Sequence, residues 1–365
     1  MIPIAKPLIG QEEKEKVMAV LDSGAIAQGA VVKEFEEKFA EFIGTPGAIS
    51  TSSGTTAVCL ALQAAGVNWG DKVITTPFTF IATSNSILYC GAEPVFADVD
   101  ERTFNISPSS IEEVIKNVTG VKAILAVHLY GLAADMDAIE EICKKYNLTL
   151  IEDCAQSHGA KYKGKMTGTF GKSAAYSFYP TKNMTTGEGG MVTSMDPDVL
   201  ENARMLREHG ASREYMHETL GYNYRMTNIE AAIGISQLEK LNKFNAIRKE
   251  NARYFLQELA GLPFLTLPFV PMDCEHVYHQ FTVKLPDENT RDKFIGYLKE
   301  NQVGTKVYYP MGIHQQPFYK KLGFGNMCFP VTEKLTKQVV SLPIHPAVTS
   351  KDREYIVEII KGFKP

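Results

Sequence analysis

The chain has 365 residues, 44% of them hydrophobic and 22% charged, with a net charge of −4. That suits about two globular domains at roughly 150 residues each. It excludes a strong field for nucleic acid or anionic membranes, and no apolar run reaches the ~20 residues that span a bilayer.

The predicted elements run as follows. Helices and strands alternate from about Gln11 to Met195. Phe35, Phe39 and Phe42 recur at helical spacing, with Gly44 as the C-cap. A helix follows Ser52-Ser53-Gly54-Thr55-Thr56 and runs to about Ala65. Lys72 to Thr75 and Pro94 to Asp98 read as strands. Ser107 and Pro108 open a helix to about Asn117. Lys122 to His128 is a buried strand, Met136 to Tyr146 a helix, Leu148 to Glu152 a strand, and Ser173 to Phe178 a strand-like run. This βαβ rhythm predicts an α/β fold with a mostly parallel sheet flanked by helices. From Ile229 to Leu259 the chain is mostly helical, and the domain boundary is expected near Asn245. This divides the chain into a large domain, residues 1–245, and a smaller α+β domain, residues 246–365. In the second domain Val277 to Leu285 and Thr305 to Tyr309 read as strands. Arg291 to Glu300 and Lys351 to Ile360 read as helices.

The cysteines Cys59, Cys90, Cys143, Cys154, Cys274 and Cys328 are scattered, with no C-x-x-C pair, and read as reduced thiols. With no apolar leader in Met1 to Pro7, the expected compartment is cytoplasmic.

Two stretches carry chemistry. In Tyr176 to Gly190 one lysine, Lys182, stands between an apolar run and a threonine- and glycine-rich loop. Its backbone is held while its amine stays free to attack and leave a carbonyl. Desolvation would lower its pKa and free the amine. In Leu150 to Gln156 the acidic pair Glu152-Asp153 ends an apolar run, where open α/β sheets place functional groups. A Schiff-base lysine paired with an aspartate on a pyridinium nitrogen is the signature of pyridoxal phosphate chemistry. An aspartate after a strand also serves widely as a helix cap.

Gly54, Thr55 and Thr56 open a helix whose free amides and hydroxyls would hold a phosphate, and Ser177 could add a hydroxyl. An aromatic side chain of Thr76 to Thr83 could lie on the pyridine ring. Gly168 to Ser173 hints at a P-loop, but the first glycine of that motif is replaced by Met166. No G-x-G-x-x-G run or H-E-x-x-H pair is present, and no metal site is expected.

In this order the motifs resemble the DegT-type nucleotide-sugar aminotransferases, fold-type I pyridoxal phosphate enzymes. The resemblance rests on Pro7-Leu8-Ile9-Gly10, Ser53-Gly54-Thr55, Thr79 to Thr83, His128 to Gly131, Glu152 to Ala160, the Lys182 segment and Gly221 to Met226. It fades in the second domain, where Tyr309-Pro310 and His314 match loosely.

The resemblance implies that Lys182 bonds the cofactor and Asp153 binds its ring nitrogen. Gln156 would meet the ring hydroxyl, and Phe80 would stack on the ring. Gly54, Thr55, Thr56 and Ser177 would hold the phosphate. Asn223 would reach the neighbouring subunit's cofactor in a homodimer with shared sites. Arg225, Tyr309 and His314 would lie near the sugar nucleotide. Cys154 departs from the family's usual alanine. The implied activity passes an amine from L-glutamate to a nucleotide-linked keto sugar, with the 4-keto position favoured. A 3-keto aminotransferase and a dehydratase of the same family are the alternatives; the dehydratases carry histidine where Lys182 stands. A regulatory protein that kept the fold without turnover is a further rival.

Overall fold

The computed structural model describes residues 1–365. Its centre is a seven-stranded sheet of β1 (Gly47–Thr51), β2 (Lys72–Thr75), β3 (Glu93–Phe96), β4 (Val121–Val127), β5 (Thr149–Asp153), β6 (Ser173–Ser177) and β7 (Gly190–Ser194). Their spatial order is β1-β7-β6-β5-β4-β2-β3. The neighbours from β6 through to β3 run parallel. β7 is antiparallel to both β1 and β6. The fold is the expected α/β architecture with a large, mostly parallel sheet. Ala123 to Val127 are all buried, as required of a strand covered by helices on both faces.

The helices are α1 (Gln11–Ser23), α2 (Ala30–Ile43), α3 (Gly54–Ala64), α4 (Ala82–Tyr89), α5 (Pro108–Asn117), α6 (Met136–Tyr146), α7 (Pro197–Arg207), α8 (Asn228–Glu258) and α9 (Glu288–Glu300), followed by short helices over Pro317–Lys321 and Pro330–Gln338 and a last helix over Ser350–Gly362. Gly44 does end α2, at φ 87°, with its amide on the Ala40 carbonyl. Pro108 fills the first position of α5, but the Ser107 hydroxyl meets Ser109 instead of capping an amide.

α8 is one unbroken helix of 31 residues. Its first half sends Ala231, Ile235, Leu238 and Leu241 into the core beside Phe35, Phe39 and Phe178. Its second half sends Ala252 and Phe255 into a separate core with Phe281, Phe294 and Ile356. The division proposed near Asn245 falls between these halves.

Two expected strands differ. Of Val277 to Leu285 only Phe281–Lys284 forms a strand, β8, paired antiparallel with β9 (Val339–Leu342). Ahead of it, Tyr278 takes φ 47°, and the amides of Val277 and Gln280 reach back to the Gly131 and Tyr130 carbonyls. This segment ties the start of β8 to the turn after β4. Thr305 to Tyr309 is irregular, with a single ladder contact between Lys306 and Ser341.

Candidate active site

The chain direction gathers the chemistry at one sheet edge. β5 and β6 are parallel, and the register aligns Thr51, Gly190 and Ser177 across β1, β7 and β6. The exits of β1, β2, β5 and β6 therefore open on the same side. They lead to the start of α3, to Phe78 and Phe80, to Asp153 and Gln156, and to Lys182. This is where an open α/β sheet binds its ligands.

Asp153 is 5% exposed. Its Oδ2 accepts from the Thr83 hydroxyl at 2.8 Å, and its Oδ1 accepts from the Ala155 amide at 3.1 Å. The Thr79 and Thr83 hydroxyls meet at 3.1 Å. An ionised carboxylate offers about four acceptor sites, so capacity remains for an N–H from a ligand ring. Lys182 follows a turn in which its amide donates to the Tyr179 carbonyl. Burial draws its pKa down to about 8, with Asp153 pulling the other way. Both features match the sequence expectation of a desolvated amine facing an anion.

The start of α3 offers a phosphate cradle. Ser53 caps it, taking the Thr56 amide at 3.2 Å. The Thr56 hydroxyl is already spent on the Ser53 amide and carbonyl, at 3.0 and 2.8 Å. The first-turn amides of Gly54 and Thr55 precede the first intrahelical bond, which runs from Ala57 to Ser53, and stay unpaired. A Cβ on Gly54 would come within 2.5 Å of the Ser177 Cβ. Only glycine lets the Ser177 hydroxyl approach these amides so closely. Free amides, a hydroxyl and a helix N-terminus suit a phosphate.

Gln156 is pinned by the Tyr130 amide on Oε1 at 2.7 Å and by Tyr309 on Nε2 at 3.2 Å, leaving one Nε2 hydrogen free. The Phe80 ring is 56% exposed and lies 6.3 Å from the Tyr309 ring, whereas Phe78 is fully buried. Phe80 is thus the aromatic of this segment with a free face. The residues fit pyridoxal phosphate: amine, anion, aromatic face and phosphate cradle share one edge.

Asn223 lies apart, exposed in the Gly221–Met226 segment. That segment is pinned by the Tyr224 carbonyl on the Ser52 amide at 2.9 Å, and the Tyr222 and Tyr224 rings stack at 4.6 Å. The tyrosines turn inward and Asn223 turns outward. Arg225 is half-buried. His314 has no exposed surface; its Nε2 lies 3.3 Å from Glu333 and its ring packs on Phe329. It packs here between Glu333 and Phe329.

The sequence reading gave no role to Thr83, although it is the residue that orients Asp153. Its signal was present in Thr79 and Thr83, four residues apart across the entry to α4. It also gave none to His158, which is fully buried against Tyr176 and Phe178 with both ring nitrogens unpartnered. Burial, helped by the Lys182 charge, pushes its pKa to about 3, so it stays neutral.

The neighbouring Glu152 serves the scaffold. It accepts from the amides of Gly168, Phe170 and Gly171 at 2.7 to 2.8 Å. His128 Nδ1 accepts from Ala134, so Nε2 carries the proton and donates to Glu152 at 2.9 Å. The loop that hinted at a P-loop does cradle an anion, and the anion is the chain's own carboxylate.

Residues 7–361 match the DegT/DnrJ/EryC1/StrS aminotransferase family. The chain belongs to that family. It is an aminotransferase, and its cofactor is pyridoxal phosphate. Among relatives, a "Pleiotropic regulatory protein" of Geobacillus stearothermophilus is 40% identical over 97% of this chain and 95% of its own. A GDP-perosamine synthase of Caulobacter vibrioides is 39% identical over 98% and 96%. A dTDP-3-amino-3,6-dideoxy-alpha-D-galactopyranose transaminase of Aneurinibacillus thermoaerophilus is 39% identical over 97% and 96%. The solved structure of NtdA from Bacillus subtilis with bound cofactor PMP superposes at a TM-score of 0.90, with 31% identity over 97% of this chain and 82% of that one.

Proposed function

We propose that this aminotransferase moves an amino group from L-glutamate to a keto sugar carried on a nucleoside diphosphate, in the cytoplasm, with the 4-keto position favoured. The observation that carries the reading is the pairing of a desolvated lysine, Lys182, with the Thr83-oriented carboxylate of Asp153. A lysine in place of histidine argues against the dehydratase alternative. An intact pair argues against a purely regulatory role. The Thr185-Thr186-Gly187-Glu188-Gly189-Gly190 run favours the 4-keto position. The relative that makes a 3-amino sugar keeps the 3-keto reading as the alternative.

When bound, pyridoxal phosphate supplies a ring that accepts the electron pair released at the donor carbon. The protein does the rest. The Gly54 and Thr55 amides, with the Thr55 and Ser177 hydroxyls, hold the phosphate. Asp153 would hold a proton on the ring nitrogen, and the free Gln156 Nε2 hydrogen would be available to the ring hydroxyl. Phe80 covers one ring face and excludes water from it. Lys182 Nζ would take the proton from the donor Cα and hold it for return. Tyr309 and Arg225 would meet the sugar nucleotide.

We further propose a homodimer in which Asn223 reaches the partner subunit's cofactor phosphate. Support comes from its outward side chain, which has no bond within its own chain. Mixing inactive Lys182→Ala with inactive Asn223→Ala subunits should restore activity, because one hybrid site carries neither defect. No recovery in a mixture shown to contain hybrids would refute sharing.

The function itself is tested by incubating purified enzyme with L-glutamate and a panel of 3- and 4-keto sugar nucleotides. Formation of 2-oxoglutarate together with an amino sugar is expected from a 4-keto substrate. Turnover confined to 3-keto substrates would reverse the positional choice.

A further inference from the structure

Lys182 also lines a second opening, one whose walls include none of Asp153, Phe80 or Ser177. This cavity of about 20 Å³, open to solvent and roomy enough for a carboxylate-sized group, is bounded by the N-terminal segment Ala5–Leu8, by Pro180–Asn183 and by one face of α8. From that face Arg248 enters. It is 4% exposed. Its Nη1 donates to the carbonyls of Tyr278 and His279, at 3.2 and 3.4 Å. Nε is buried without a partner, and Nη2 meets no acceptor of the chain. No carboxylate pairs with the group, and burial pulls its pKa down to about 9.

A buried guanidinium without an anion is a costly arrangement, and folds keep such conflicts at functional sites. The free Nε–Nη2 edge is the fork that matches a carboxylate in bidentate fashion. The residues lining the cavity add positive or neutral groups only, the nearby Glu13 carboxylate being taken up by Gln237 and Lys240. Lys6 and Lys182 share the cavity. His279 beyond them is held neutral by burial and by the neighbouring cations Lys182 and Arg248. The Asn183 amide is already engaged, donating to Asn245 at 2.8 Å and to the Val277 carbonyl at 3.1 Å. The hollow is therefore one that attracts an anion and has none of its own. The reactant that must bring a carboxylate within reach of the Lys182 amine is the amino donor, whose reacting carbon bears one.

We propose that Arg248, with Lys6 at the rim, binds a carboxylate of the amino donor. This rests on the aminotransferase reading above. It assigns the donor's recognition to a cavity distinct from the phosphate cradle at α3.

The test compares wild-type holoenzyme with Arg248→Gln and Arg248→Lys. Three quantities are read: the yellow absorbance of the loaded enzyme, the L-glutamate concentration that half-bleaches it, and the affinity for glutarate, a dicarboxylate that cannot react. Arg248→Gln should stay yellow and lose about 10- to 150-fold in both affinities, the range for a charged hydrogen bond. Arg248→Lys should fall between, keeping the charge but not the fork. A yellow Arg248→Gln enzyme with wild-type glutamate and glutarate affinities would overturn the proposal. So would weakened binding of a nucleoside diphosphate with glutarate unaffected. If Arg248→Gln does not fold, the wild type decides. Glutarate should raise its melting temperature and neutral glutaramide should not, and Lys6→Gln should reduce that difference. Equal effects of glutarate and glutaramide would overturn the proposal. A wild type that is not bleached by glutamate would defeat the aminotransferase reading instead, a result separate from glutarate binding.

Discussion

β5 ends in two consecutive carboxylates with opposite fates. Successive strand residues point to opposite faces. Glu152 points into the scaffold, where four donors, three of them loop amides, saturate it. Asp153 points into the crevice, where one hydroxyl and one amide hold it and leave lone pairs open. Identical chemistry one residue apart is closed in one case and poised in the other. What separates structural from functional carboxylates here is unspent hydrogen-bonding capacity, since both are buried.

Lys182 anchors the poised side and should show the largest effect. Lys182→Ala should lower turnover by at least about 10⁴-fold, the upper range for loss of one acid–base group. Borohydride should fix cofactor mass on Lys182 in the wild type and nowhere in the variant; label on Lys165 or Lys172 would break the assignment. The lysine's lowered pKa adds a pH signature. Its amine becomes neutral as pH rises through about 8, so the rate of cofactor loading onto apoprotein should climb across that value.

Glu152→Gln attacks the closed side. It should cost about 1.5–3 kcal/mol of stability, read by denaturant melts, because the hydrogen bonds to a buried anion lose their charge and the Gln amide group faces donors it cannot accept from. The pH dependence follows. Burial works to raise the Glu152 pKa, but His128 and the Gly171 and Gly168 amides outweigh it and hold it below its ordinary 4.5. Its contribution is therefore full above about pH 4.5 and drains away as pH falls through the lower folded value. A Glu152→Gln protein with wild-type melting but poor catalysis would invert the comparison.

Asp153→Asn should do the reverse, cutting turnover by about 10²- to 10³-fold, as for loss of a preorganised electrostatic group. Its melting midpoint should change little. Near-normal turnover would remove the proposed role. The smallest effect belongs to Thr83→Val, which leaves Asp153 charged but loosely aimed. About a tenfold loss in kcat/KM is expected, the lower range for a hydrogen bond to a charged group. No loss would mean that the backbone alone orients Asp153.

Much of this was legible in the chain. Lys182, Asp153 and the α3 entry lie in local motifs, and the sheet brings these proposed site residues to one end, as the order of the motifs suggested. Pro108 marked the start of α5, and α6 runs Met136–Tyr146 as read. The misses were tertiary. Val277 to Gln280 alternates like a strand, yet the Val277 and Gln280 amides are claimed by the Tyr130–Gly131 turn, a contact no local pattern announces. Arg248 sits among charged residues on a long helix and looks like a solvated position. Only the fold buries it. His314 was carried over from a loose match, and its burial against Phe329 depends on two distant segments meeting.

The uninterrupted course of α8 has a mechanical consequence. At 1.5 Å per residue this beam is about 46 Å long, with one end clamped in each core. A hinge at its middle would break backbone hydrogen bonds, so the two cores cannot swing freely about Asn245. Nor can either core melt alone, since losing the socket around Phe255 would loosen the helix that also carries Ile235 and Leu238. Heating should therefore give one calorimetric peak, and limited proteolysis should fail to release a surviving C-terminal fragment.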